Sequence, residues 1–413
     1  MEGFIELLKN GKTQFHVVAE CKKILSAKGY KELDTDYEKW NISPGDKYYV
    51  CPYSSMMVAF NYGKNADSMR IAAAHTDFPM LKLKPNPITK KGDYVMVNVE
   101  PYGGLIKSTW FDRPLGLAGK VVIKGYDAFS PKAMLFDSNK PLFVIPNLAP
   151  HLKRDNNKQD IDVQKELMPV MSVNKEEVDN SYITDIISRE LNINSGDILD
   201  YDLYLYIYDA PTFVGARDEF LLSSRIDNIS SVSAVLEALT DITSDNCISV
   251  GVFFDNEEIG SRSKQGADSM LFRDILEKIA PSKTILRNAF GLSVDVAHAT
   301  HPNYPETSDI TNKISLGDGV VLKSSASQRY VTDSECSAVL LSLAAEGGIK
   351  IARQANKSGM PGGQTLGPIL SSYLPVKCVD IGIPMLAMHS AAETINYDDY
   401  LELVKLLCFY FNY

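Results

Sequence analysis

The chain is poor in cysteine and in positive charge, and it has no long apolar run. Its six cysteines (Cys21, Cys51, Cys247, Cys336, Cys378, Cys408) are scattered over 413 residues, and none forms a C-x-x-C pair. A cysteine-ligated zinc site is therefore not expected, and reduced, mostly buried thiols in a cytoplasmic protein are. No apolar stretch reaches the ~18 residues of a membrane helix. The N-terminus lacks the uninterrupted apolar core of a secretory signal, because Lys and Glu are interspersed through it. Against 52 Asp and Glu stand only 42 Lys and Arg, a formal net charge of −10. That balance argues against binding nucleic acid or an acidic membrane surface. Internal repeats and low-complexity tracts are missing as well.

What is present is an ordinary globular mix, 45% hydrophobic and 23% charged. The length points to two domains. Residues 1–85 read as α/β. Met1 to Gly29 has the spacing of an amphipathic helix, and Met69 to Ala74 reads as a strand running into His75. Residues 86–216 are β-rich, with strand-like runs at Tyr94–Val99, Gly119–Lys124, Leu142–Ile145 and Leu203–Tyr208. A polar stretch from Lys153 to Val163 reads as an exposed loop. From Arg217 to the end the α/β alternation returns. Strands are expected at Ile248–Phe254, Phe290–Val296 and Val376–Ile383. Helices are expected at Ser231–Leu239, Ser334–Glu346, Thr365–Tyr373 and Asp398–Phe411. The expectation is an α/β fold, a mostly parallel sheet with flanking helices, built from 1–85 and 217–413, with 86–216 inserted as a β-rich domain.

Acids and histidines concentrate where predicted strands end, which is where open α/β sheets bind ligands. His75-Thr76-Asp77 offers a metal-binding imidazole and an aspartate to orient it, although an H-x-D turn arises by chance too. Asp227-Asn228 precedes a helix, so either residue reads first as a cap, the commoner role, and an aspartate there could also bridge two cations. Glu257-Glu258 follows a strongly apolar strand. Adjacent carboxylates repel, and a cation removes that penalty. A solvated acidic loop is the bland alternative. Asp295 interrupts the buried-strand pattern Leu292 to Val296, where an unpaired charge is costly. His389 ends another apolar approach, and alone it would read as a core histidine. Taken together, His75, Asp227, Glu258, Asp295 and His389 suit two first-row divalent ions sharing an aspartate, zinc foremost, with cobalt and manganese as alternatives. Glu257 is left over as a base, in the manner of a two-metal hydrolase.

These segments, with Trp110-Phe111-Asp112-Arg113-Pro114-Leu115, His301-Pro302-Asn303-Tyr304 and Gln328-Arg329-Tyr330, resemble the aspartyl aminopeptidase family of co-catalytic zinc enzymes over nearly the whole chain. The resemblance implies one ion on His75 and Asp295, the other on Glu258 and His389, and Asp227 between them. It implies Glu257 as general base and Asp77 as the orienter of His75. It also implies hydrolysis of N-terminal residues, acidic ones among them, from peptides with a free N-terminus. The inserted domain would build a dimer, and dimers a dodecamer, with His151 reaching a neighbouring active site. Lys323 would meet an acidic substrate side chain, where a surface lysine at a strand end is the alternative. Phe78 stands where the family usually carries Ser. A related metallo-carboxypeptidase or N-deacylase shares such ligands, and a metal-stabilised assembly protein is the non-enzymatic alternative.

Overall fold

The computed structural model of the chain describes residues 2–35, 38–152, 161–360 and 362–413. The chain forms two compact units. One comprises Met1–Asp77, Pro211–Met388 and Glu393–Tyr413; the other comprises Phe78–Ala210 and His389–Ala392.

Among the described residues, the first unit carries a nine-stranded sheet. Four adjacent strands at its centre run parallel, in the order Cys247–Phe254, Ser68–His75, Phe290–Val294, Lys377–Gly382. Antiparallel strands Met56–Tyr62 and Lys47–Tyr53 continue it on one side, and Val320–Ser324 pairs antiparallel to Lys377–Gly382 on the other. This parallel centre is covered on both faces, so its strands read as nearly continuous apolar runs. Cys247–Phe254 is buried at every position, as is Phe290–Val294. The helix Ile226–Thr240 packs on the Cys247–Phe254 and Ser68–His75 strands and on the helix Tyr397–Asn412. Gly251 allows that close approach: a Cβ there would lie 2.5 Å from Leu239 Cδ1 and 3.0 Å from Val235 Cγ1. Val250, Val252 and Phe254 join Phe272, Leu276 and Leu366 in a hydrophobic cluster. A second sheet of this unit runs Thr212–Val214, Phe220–Ser223, Glu393–Asn396, Pro384–Leu386, Ala297–His298.

Among the described residues, the second unit holds a six-stranded sheet whose neighbours all pair antiparallel: Lys132–Asp137, Leu115–Ile123, Ile198–Ile207, Met80–Lys91, Tyr94–Tyr102, Val170–Val173. Tyr94–Tyr102 alternates buried and less buried positions along most of its length, as a sheet with one core face requires. Ile183 and Ile187, four residues apart on the helix Ser181–Leu191, are buried.

Some expectations change. The N-terminal segment is two helices, Glu2–Asn10 and Gln14–Ala27, not one. The break falls at Gly11, where a Cβ would lie 2.7 Å from the Leu7 carbonyl oxygen, and Thr13 is extended. Leu142–Ile145 is not a strand: Phe143 and Val144 make only isolated bridges, to Leu115 and Val170. Pro141 and Pro146 bracket the segment and cannot donate to a ladder. Of the expected polar loop, 153–160 lies outside the described residues, while Val163 opens a short helix, Val163–Glu166, capped by the Asp162 side chain. The units change at Asp77/Phe78 and Ala210/Pro211, earlier than the changes of composition. Met80–Lys91 belongs to the six-stranded sheet, and Thr212–Val214 to the five-stranded one. Among the described residues, no helix is long and apolar enough to cross a membrane.

Candidate metal centre

The parallel registers gather the site. Phe254 pairs with His75 and Ser293 with Ala73, so three neighbouring strands end at nearly one level. His75 closes its strand there, Asp255 to Glu258 follow the second, and Asp295 follows the third. Thr76 ties the first crossing down. Its N–H donates to the Phe254 carbonyl at 2.7 Å, and its hydroxyl donates to the carbonyls of Ser55 and Phe254.

His75 is 1% exposed. Its Nδ1 lies 3.0 Å from the Asp77 main-chain oxygen and 3.5 Å from the Asp77 carboxylate. With the proton on Nδ1 donated to that carbonyl, Nε2 keeps a lone pair facing the opposite way. Nε2 lies 3.5 Å from Asp227 Oδ1 and 3.7 Å from Asp295 Oδ1. These separations are too long for good hydrogen bonds. The first reaches and the second slightly exceeds the edge of a tetrahedral shell, in which bonds of about 2.0–2.1 Å to zinc place neighbouring donors roughly 3.3–3.5 Å apart. The residues therefore fit a divalent cation. Asp227 and Glu258 also offer oxygens within 4.8 Å of one another, so Asp227 belongs to two potential ligand groups.

Charge supports the same reading. Burial disfavours the His75 imidazolium, yet the carboxylates of Asp227, Asp295 and Asp77 outweigh it and hold the ring well above its ordinary pKa. Burial pushes Glu257 up to about 8; His75 opposes this, and Asp295, Asp77 and Asp227 add to it. Protons thus offset the crowded negative charge, and a divalent cation does so more directly.

Asp77 is fully buried, and its carboxylate accepts the main-chain N–H groups of Glu257 and Glu258, each at 3.1 Å. Those residues begin the 3₁₀ turn Glu257–Ile259. Asn256 enters it and Gly260 leaves it with positive φ, the latter at 96°, and the Gly260 N–H closes the turn on Glu257. Asp255, pushed up to about 7 by burial and the nearby Asp77 charge, accepts from the Asn256 N–H.

Asp227 lies two residues past Arg225, which holds the N-cap position of Ile226–Thr240. It and Asn228 have non-helical backbone at the start of Ile226–Thr240. The Asp227 N–H donates to Glu393 Oε2 at 3.1 Å, and the Asn228 side chain donates to the Val294 carbonyl at 3.0 Å. The sequence pattern does not distinguish Glu393. Its only signal there is a carboxylate in an otherwise uncharged strand, Glu393–Asn396, and it is 1% exposed.

His389 lies in the short segment that groups with the second unit. Its Nδ1 is 3.1 Å from the Gly104 carbonyl, and its own carbonyl accepts from the Ile106 N–H. His151 is exposed, in the turn Pro150–Leu152 of that unit. Asp112, in the Trp110–Leu115 motif, accepts from the Asn147 N–H and so anchors the approach to it. Lys323 is not a surface lysine. It is 1% exposed, donates to the Val296 carbonyl at 2.7 Å, and lies 5.4 Å from the centre of the Tyr330 ring. Its charge opposes the upward push that burial gives the Asp380 carboxyl.

The sequence profile described as Aminopeptidase I zinc metalloprotease (M18) matches residues 7–411. The chain belongs to the M18 aminopeptidase family. The family's members are zinc metallopeptidases that act at peptide N-termini. A probable M18 family aminopeptidase 2 of Clostridium novyi (strain NT) is 39% identical, covering 99% of this chain and 97% of its own length. One from Pseudomonas fluorescens (strain SBW25) is 36% identical and covers 98% and 96%. Among solved structures, a chain in the Ape4–Nbr1 complex superposes with a TM-score of 0.94 at 31% identity, covering 99% of this chain and 84% of its own. The S. cerevisiae mApe1 dodecamer gives 0.86 at 25% identity, covering 99% and 95%. The α/β fold expected from the sequence is thus the fold of M18 aminopeptidases.

Proposed function

We propose that this M18 aminopeptidase works with two divalent ions, zinc foremost, and removes acidic N-terminal residues from peptides. The observation that carries the metal reading is the His75 Nε2–Asp227–Asp295 constellation, whose edges of 3.5 and 3.7 Å suit a cation's shell. His75 and Asp295 would hold one ion, and Glu258 and His389 the other. Asp227 would bridge them. His389, like His75, has Nδ1 near a main-chain carbonyl, which suits Nε2 for ligation.

Bound there, the ions supply Lewis acidity and lower the pKa of water. Glu257 takes the proton of the attacking water and delivers it to the leaving amine nitrogen. Asp77 fixes Glu257 and Glu258 through their main-chain N–H groups and stands beside His75. The acidic preference rests on Lys323, an ammonium held at the carbonyl next to Asp295. The unit Phe78–Ala210, in the place expected of residues 86–216, would serve as the dimerisation domain on the catalytic remainder. Like the mApe1 assembly, the protein would form a dodecamer, with His151 of one protomer completing its neighbour's site. It would act on cytoplasmic peptides.

A panel of chromogenic substrates tests this, with free or acetylated N-termini and Asp, Glu, Ala or Leu as the first residue. Fastest turnover of free Asp and Glu substrates with zinc, cobalt or manganese is expected. Faster cleavage of Ala or Leu would remove the acidic preference, and cleavage of acetylated substrates would remove the exopeptidase direction.

A further inference from the structure

Asp227 lies where the chain has to be held from outside the helix it opens. Its backbone is non-helical, with φ −76° and ψ 107°, so its buried N–H finds no helical acceptor. Glu393 supplies the acceptor at 3.1 Å. The strand Phe220–Ser223 leads into this kink, and Ser223 pairs directly with Glu393 on the antiparallel strand Glu393–Asn396. The sheet therefore delivers the Glu393 side chain to the kink four residues beyond Ser223. On the far side, Asn228 is tied to Val294, the residue before Asp295. The two ties hold the chain at Asp227 from both sides.

We infer that Glu393 is a positioning residue for the metal centre: by accepting the Asp227 main-chain N–H it aims the Asp227 carboxylate between the two ions, without ligating either. The role rests on the two-ion reading above. It concerns the place of one acceptor atom, not charge. A side chain that keeps the acceptor in position without the charge preserves the site, and one that keeps the charge but withdraws the acceptor does not.

Two conservative variants of the full chain separate these, with Glu393→Gln keeping length and acceptor, and Glu393→Asp keeping charge but shortening the reach. Zinc affinity is read by competition with a chromophoric chelator, geometry by the visible spectrum of the cobalt-substituted protein, and folding by the Tm of the zinc-free forms. Glu393→Gln is expected to stay within a few-fold of wild type in zinc affinity, with the same cobalt bands. Glu393→Asp is expected to lose about 10–100-fold in zinc affinity, with shifted cobalt bands and a lowered kcat at little-changed KM. Wild-type affinity and cobalt bands in Glu393→Asp overturn the inference. So do equal losses in both variants, because charge would then be the property that matters. Wild-type protein that binds no zinc removes the reading beneath it; wild type that binds two ions beside an unaffected Asp variant removes the Glu393 role alone.

Discussion

The Asp77 carboxylate accepts the main-chain N–H of Glu257 at 3.1 Å, across 180 residues of sequence. Through this bond and its twin to Glu258, the aspartate beside one candidate ligand, His75, fixes the turn that carries both the candidate base and a second ligand. The two clusters are one structural unit.

Asp77→Asn should disrupt both. An amide presents one acceptor oxygen and an NH₂ group, so one of the two N–H groups would face a donor. Charge-assisted hydrogen bonds of this kind contribute about 1.5–3 kcal/mol each. A loss of roughly 2–4 kcal/mol in urea unfolding is expected, together with a fall in kcat and weaker zinc retention. Wild-type kcat in a folded Asp77→Asn protein would show that the turn holds itself.

Glu257→Gln separates chemistry from metal binding. The amide cannot take a proton from water, and general base catalysis contributes roughly 10²–10⁴ in rate. The variant should lose at least about 100-fold in kcat while its zinc content, measured by elemental analysis, stays at the wild-type value. Retained activity would sink the assignment of Glu257.

Gly251→Ala probes the fold behind the site. Its Cβ would press on Leu239 and Val235 of the helix that begins at Asp227. Overpacking of this kind costs about 1–3 kcal/mol. Chemical denaturation should show that loss. Unaltered stability would mean that the helix shifts freely on the sheet.

The sheet was readable because its central strands are nearly continuous apolar runs, as at Ile248 to Phe254. Asp295 was readable for the same reason, as the charge that breaks such a run. Glu393 was not, since its neighbours Thr394, Ile395 and Asn396 give no clear period and its task depends on a strand pairing with Phe220–Ser223. The division of the N-terminal helix is hidden in the pattern because Leu8 and Phe15, seven residues apart, keep helical register across Gly11, whose backbone freedom lets the first helix end. The strand expected at Leu142–Ile145 failed where prolines on both sides outweighed β-branched content. For Lys323 the alternative of a strand-end surface residue fails because its burial depends on tertiary neighbours, Val296 and Tyr330, remote in sequence.

The two-ion account is tested most directly by metal reconstitution. Protein stripped with a chelator is titrated with zinc while bound metal and aminopeptidase turnover are followed together. No turnover is expected in the stripped protein, and recovery should reach its maximum at two ions per chain. Turnover that survives complete stripping, or that is fully restored by a single ion per chain, would contradict it.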